Sequence, residues 1–243
     1  MILVQSDLGE LAALRDYQAQ FADGILLVDP ETPVPWCGDW TVRDLVLHLA
    51  GVHHWAAAKA ARRPEPALAL DASDLAAAYA QCADGLYGVL TALDPDAPAD
   101  TLLDDGLPVE QRPAGTVRFW HRRQALETLV HLWDLRTAGG LPFEPGADAW
   151  VDCLDEVVTV MHPRQLRLGR IAPPAVRVRL VATDADADYV LDRSPSGPDV
   201  VVRGPIRSLA LLAWGRVAAS DPALTIEGDR DGLAPVLAAG LTP

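Results

Sequence analysis

Glu127 and His131 stand four residues apart in the segment RRQALETLVHLWD, a spacing that stacks them one turn above the other on an α-helix. Leu126, Val130 and Trp133 surround them, so the face that carries them is one a folded chain buries. A carboxylate taken out of water without a compensating charge is costly, and this limits what the helix can pack against. His48, in TVRDLVLHLAGVHHWA, shares its helical face with Leu45, Leu49 and Val52 and directs a second imidazole at an apolar interior. Read singly, Glu127 and His131 are a hydrogen-bonded helix pair worth about 0.2–0.5 kcal/mol, and His48 is a satisfied core histidine. Read together, two imidazoles and a carboxylate aimed at one interior are a candidate site for a divalent metal. Three such ligands leave a position open for water or substrate, as catalytic sites do.

The other histidines fit this set less well. His53 and His54 follow His48 by five and six residues, which turns them away by about 140° and 240°. His121 lies near the start of the helix that carries His131. His162 precedes Pro163 and reads as a cation at a helix end. Cys37, Cys82 and Cys153 form no CxxC pair and read as reduced, packed thiols; a reactive thiolate at Cys37, just before a helix start, is the alternative. The run DADAD (184–188) opens like a calcium loop, but Tyr189 stands where such a loop needs glycine and Pro195 where it needs a glutamate, so it reads as a hairpin turn. There is no GxGxxG, no P-loop lysine and no GxSxG elbow.

Helical periodicity dominates the first two thirds of the chain. Helices are expected from residue 7 to 23, from Thr41 as N-cap with Asp44 completing a capping box to about Arg62, and from Ser73 as cap to about Leu93. A polar loop over about 94–115 precedes a fourth helix over 116–138, closed by Gly139-Gly140, and a fifth over 146–161 stops before Pro163. Short connections and apolar stripes favour an antiparallel bundle. Beyond PRQLRLGRIAPP the pattern changes to alternation in AVRVRLVAT, with DYVLDR and DVVVRG as further strands around SPSGP. IRSLALLAWGRVAA reads as a helix, LTIEGD as a last strand and DGLAPVLAAGL as a terminal helix. The chain therefore reads as an α+β protein of two domains, a helical bundle over 1–163 and a small α+β domain with a mixed or antiparallel sheet over 170–243, with no internal repeat evident.

Half of the 243 residues are apolar, enough for a core, and the net charge of −14 argues against nucleic acid as a partner because phosphates are repelled. No apolar run approaches the roughly 18 residues that span a bilayer. MILVQSDLGELAALRD has no basic stretch before its apolar residues and does not read as a signal peptide. A soluble, cytoplasmic protein without a membrane partner is the expectation.

Two longer motifs carry a resemblance. Trp40 to Ala56, W-T-V-R-D-L-V-x-H-L-A-G-V-H-x-W-A, and Arg122 to Asp134, R-R-x-x-x-E-T-x-V-H-x-W-D, together resemble the mycothiol-dependent maleylpyruvate isomerase family, a branch of the DinB-like metal-binding helical bundles. Leu-Leu-Ala-Trp-Gly-Arg (211–216) is similar to the small α/β domain, related to sterol-carrier-protein (SCP2-like) folds, that often follows the bundle. Leu132 departs from the family pattern, where a basic residue is common, and leaves the ligand positions intact. The resemblance implies a zinc-type divalent metal on His48, Glu127 and His131, mycothiol as a thiol cosubstrate, and a small-molecule electrophile as substrate. It implies either an S-transferase or a cis–trans isomerase. Arg122, with its neighbour Arg123, and Arg216 are candidates to meet an acidic substrate or the thiol, and Asp134 is a candidate partner behind His131. The competing readings are a metal enzyme that works without a thiol and a non-catalytic small-molecule binding protein.

Overall fold

The structure, a computed structural model, describes residues 7–191 and 199–243. Contacts divide the chain into two compact units. One runs to Asp104 and resumes over Arg112–Phe143; the other comprises Asp105–Gln111 and the chain from Glu144 onward.

The first unit is a four-helix bundle of α1 (Asp7–Leu27), α2 (Val42–Ala60), α3 (Leu75–Ala92) and α4 (Val117–Ala138). Helix α1 packs on α3 and α4, and α2 packs on α3 and α4. Leu14, Phe21, Leu45, Leu49, Tyr79, Leu86, Trp120 and Leu129 form its core. The Thr41–Asp44 capping box starts α2 as expected, whereas α3 is capped by Asp74, whose carboxylate accepts from the Ala77 N–H; Ser73 bonds to Asp71 instead. Helix α4 is not amphipathic in the ordinary sense. Every residue from Arg123 to Leu135 is buried, polar ones included, which makes it the inner helix of the bundle.

Helices α2 and α4 are entered through the same device, a repeat not evident in the sequence alone. Asp-Pro-Glu-Thr-Pro-Val (29–34) leading to Thr41-Val42-Arg43 corresponds to Asp-Pro-Asp-Ala-Pro-Ala (94–99) leading to Thr116-Val117-Arg118. Isolated bridges join Pro33 to Thr41 and Pro98 to Thr116. The Val42 and Val117 N–H groups donate to Thr32 and Ala97, and those of Arg43 and Arg118 to Pro30 and Pro95. Arg43 pairs with Glu31 at 2.9 Å, and Arg118 with Asp96 at 2.8 Å. Each entry thus locks the last residues before a helix onto the end of the preceding one. The insert between the anchors is short in the first copy (35–39) and long in the second (100–114), which hides the repeat from a reading by period. Gly115 closes the second copy where Trp40 closes the first, because a Cβ there would lie 2.8 Å from the Ala99 carbonyl oxygen.

In the second unit α5 (Ala147–Glu156) does not stop before Pro163. A five-residue π-helical segment, Val157–Met161, leads directly into α6 (His162–Arg167). Proline has no N–H to donate, and the wider turn, with the His162 N–H on the Val157 carbonyl, absorbs that loss without breaking the axis. His162 is therefore buried inside a continuous helical run and not at a helix end. The same continuity separates the composition shift at 163 from the change in contacts, which falls between Phe143 and Glu144. Strands β1 (Arg177–Ala182), β2 (Asp188–Leu191), β3 (Asp199–Gly204) and β4 (Thr225–Gly228) form a mixed sheet in the order β2-β1-β3-β4, with β1 and β3 parallel. Val178, Leu180, Val200 and Val202 alternate onto the buried face, which α7 (Ile206–Ala213) and α8 (Arg230–Ala239) cover. On the other face Arg177–Asp199, Arg179–Asp188 and Arg203–Glu227 pair across strands. DADAD forms the β1–β2 connection: Asp188 is held by Arg179, and the Asp184 carboxylate accepts from the Ile206 N–H at 2.7 Å. SPSGP and the Pro195 position lie outside the described residues. No helix among the described residues is long and apolar enough to cross a membrane.

Thr41 and Thr116 occupy equivalent caps, but only Thr41 makes a side-chain cap bond. Thr41→Ala is expected to cost about 1 kcal/mol in chemical denaturation and Thr116→Ala markedly less. Equal losses would show that the threonines act through the shared entry and not through the cap.

Candidate metal centre

Helix α2 supplies His48, and α4 supplies Glu127 and His131 from successive turns. Their donor atoms lie within 4.8 Å of one another, the one such grouping of potential ligands among the described residues. Glu127 Oε1 is 3.3 Å from His131 Nε2 and 3.9 Å from His48 Nε2. Glu127 and His131 are buried, whereas the His48 side chain is 37% exposed, so the group is enclosed on the α4 side and reachable past α2. The His48 and His131 rings meet edge to face at 5.1 Å, and Trp40 packs on His48 at 4.8 Å.

Each α4 ligand has a partner on its far side. The Arg123 guanidinium donates to Glu127 Oε2, one turn below. Asp134 Oδ2 lies 3.0 Å from His131 Nδ1 and accepts a hydrogen bond from it, which leaves Nε2 as the nitrogen that faces Glu127 and His48. Burial alone would push the Glu127 carboxyl up, but Arg123, His131 and His48 outweigh it and hold the group well below the usual carboxylate range. Burial alone would push His131 down, yet its bonds to Asp134 and Glu127 raise it to about 9. The space between the three ligands therefore favours positive charge, and a divalent cation fits that preference. Two imidazoles and one carboxylate are also the donor set that zinc-type ions take, and a carboxylate behind a ligating histidine is the usual support for one.

The loop before α2 reaches the site from outside. The Cys37 thiol donates to Asp134 Oδ2 at 3.7 Å, on the same oxygen that holds His131. Trp36 and Gly38 on either side take left-handed backbone angles, φ 69° and 64°, which for a residue with a Cβ costs roughly 1–2 kcal/mol. Backbone bonds from Cys37 to Val34 and from Trp40 to Cys37 hold this turn. One short loop thus supports both sides of the ligand group, through Asp134 and through Trp40. Neither contact follows from helical spacing: Cys37 and Asp134 are 97 positions apart, and Trp40, which lies before the start of α2, stood out only as part of a motif.

The structure brings His48, Glu127 and His131 together and keeps the other histidines apart. His53 is fully buried with Nδ1 on Gln124 Oε1 at 2.9 Å, His54 bonds to the Pro66 carbonyl, and His121 to that of Leu90. Arg123 is buried on Glu127, and Arg122 is partly exposed on the neighbouring position of α4. Arg216 belongs to the second unit, where it donates to the Trp214 carbonyl at 2.9 Å and lies over the Trp214 ring. Cys82 and Cys153 are buried and form no disulfide.

Two outcomes are expected. Asp134→Ala should weaken binding of Zn2+ about 10–100-fold in a chelator competition titration, and unchanged affinity would reduce Asp134 to packing. Burial pushes His53 from an ordinary 6.5 down to about 4, against the pull of Gln124. Unfolded His53 takes up its proton first, so its share of stability is full above pH 6.5. That share is lost as pH falls towards 4, by about 3 kcal/mol over the span. An NMR titration of the His53 ring with a midpoint near 6.5 would contradict this.

The family described as the mycothiol maleylpyruvate isomerase N-terminal domain matches residues 11–136, and the corresponding C-terminal domain matches residues 144–235. Among solved structures, that of the mycothiol-dependent maleylpyruvate isomerase is 13% identical with a TM-score of 0.65, over 91% of this chain and 93% of that one. A histidine-to-alanine mutant of that isomerase is 14% identical with a TM-score of 0.63 over the same shares. These two likenesses concern the fold. No curated protein matches the sequence at a significant level. Matched through both of its units, the chain belongs to the mycothiol maleylpyruvate isomerase family.

Proposed function

We propose that the protein is an enzyme that binds a divalent metal on His48, Glu127 and His131 and uses mycothiol against a small electrophile, as a cis–trans isomerase or an S-transferase. The convergence of three donor atoms within 4.8 Å, each α4 ligand backed by a charged partner, carries the reading. The family gives the thiol: mycothiol-dependent isomerisation of maleylpyruvate is the activity named for the relative of like fold.

A thiol is mostly protonated near neutral pH, and a bound divalent cation supplies the positive charge that favours its thiolate. The residues do the rest. His131 and Glu127 are fixed from behind by Asp134 and Arg123, so their donor atoms need no rearrangement to bind. His48, the exposed ligand, leaves the approach open to a cosubstrate. Trp40 covers the His48 ring and limits water on that flank. In an isomerase the thiolate adds to the activated double bond, the carbon–carbon bond rotates while single, and expulsion of the thiolate restores the alkene. In a transferase the same attack on an epoxide or enone ends with the adduct. Arg122 and Arg216 are the candidates to meet the acidic groups of substrate or thiol.

The wild type is expected to carry one metal ion per chain, and Glu127→Ala and His131→Ala each to lose it, by elemental analysis of purified protein. Full occupancy in either variant would refute the ligand assignment. With mycothiol and a panel of cis-enone acids and epoxides, turnover should require the thiol, and product analysis separates isomerised acid from thioether. Turnover at the same rate without any thiol would overturn the cosubstrate.

A further inference from the structure

We infer that Arg123 is a positioning residue that restricts Glu127 to a single-oxygen donor and thereby keeps a coordination position for the thiol. The inference rests on the metal site proposed above. A carboxylate can bind a cation through one oxygen or both. In this structure the two oxygens of Glu127 are assigned different tasks. Oε1 faces both histidines, at 3.3 and 3.9 Å, while Oε2 is held by the Arg123 guanidinium. Both side chains are buried, 8% and 7% exposed, so water does not compete for Oε2 and the pair is not the loose surface contact that i,i+4 spacing usually gives. Arg123 is planar and always charged, so it holds that oxygen over the whole range in which the protein is folded.

The placement of Arg123 in the repeat adds weight. Aligning the two helix entries, Thr41-Val42-Arg43 with Thr116-Val117-Arg118, puts Arg123 on α4 at the position that His48 takes on α2. The two equivalent positions flank one carboxylate, and each addresses a different oxygen. One has become a ligand and the other a brace. A second carboxylate oxygen on the ion would occupy the place the thiol needs. The guanidinium charge beside Oε2 also makes Glu127 a weaker electron donor, which would leave a bound ion more able to draw charge from a sulfur.

The test uses the full chain loaded with Co2+, whose visible absorption weakens as coordination number rises, in wild type, Arg123→Met and Arg123→Lys. At one ion per chain, the Met variant should lose absorption per bound Co2+ several-fold as Oε2 turns onto the ion, and the Lys variant should keep the wild-type spectrum. An X-ray absorption spectrum of the Zn2+-loaded wild type should lack the short carboxylate-carbon shell of a two-oxygen donor. That spectrum decides the matter even if a variant fails to fold. A two-oxygen shell in the wild type, or identical spectra for wild type and Met variant at full loading, would overturn the role of Arg123 while leaving the metal site intact. A wild type that takes up no Co2+ would overturn both.

Discussion

The bundle is organised around the charge on Glu127. A carboxylate inside a helical core is tolerated only when its field is answered on every side, and here the answers come from Arg123 below, His131 above and His48 across the interface. Satisfying that charge fixes which face of α2 meets α4, since His48 must reach Oε1. It also draws in Asp134 and, through it, Cys37 and the loop before α2. Removing Glu127 would leave three cationic or cation-favouring groups crowded with nothing between them.

This explains the composition of α4. An inner helix is expected to be apolar all round, yet α4 buries Arg123, Gln124, Glu127, Thr128, His131 and Asp134. They form connected sets: Arg123 with Glu127, His131 with Asp134 and Cys37, Gln124 with His53, and the Thr128 hydroxyl on the Gln124 carbonyl. Between them Leu129, Val130 and Leu132 supply apolar contact. A helix built this way is specified more by its partners than by hydrophobicity, because any slip in register would strand several buried polar groups at once.

Much of this was legible in the sequence. Helical spacing gave Glu127 and His131 one face; the apolar neighbours of His48 pointed it at an interior, whereas its side chain stays 37% exposed at the edge of the group. The switch to alternation marked the strands, whose mixed order needed the structure. What stayed hidden was non-local or depended on a departure from the ordinary helix. Pro163 obeyed the rule that proline stops a helix until a π turn made room for it. Arg123 read as one of two neighbouring arginines that could meet an acidic substrate or the thiol, since spacing alone cannot tell a guanidinium that folds back on Glu127 from one that faces outward. Cys37 reaches Asp134 across 97 positions of chain, and no local pattern announces that. The repeat was masked by the unequal inserts between its anchors.

The bracing of Glu127 by a residue of its own helix bears on how such a site is assembled in a cell. A ligand carboxylate that already has a partner does not need an ion to be tolerated in the core, so the bundle can close first and be loaded afterwards. The half-exposed His48 is then the doorway, and the rigid pair on α4 the seat behind it. With the metal centre proposed above, such a fold would separate biosynthesis from metal supply, because the braced carboxylate lets the core close before an ion is bound.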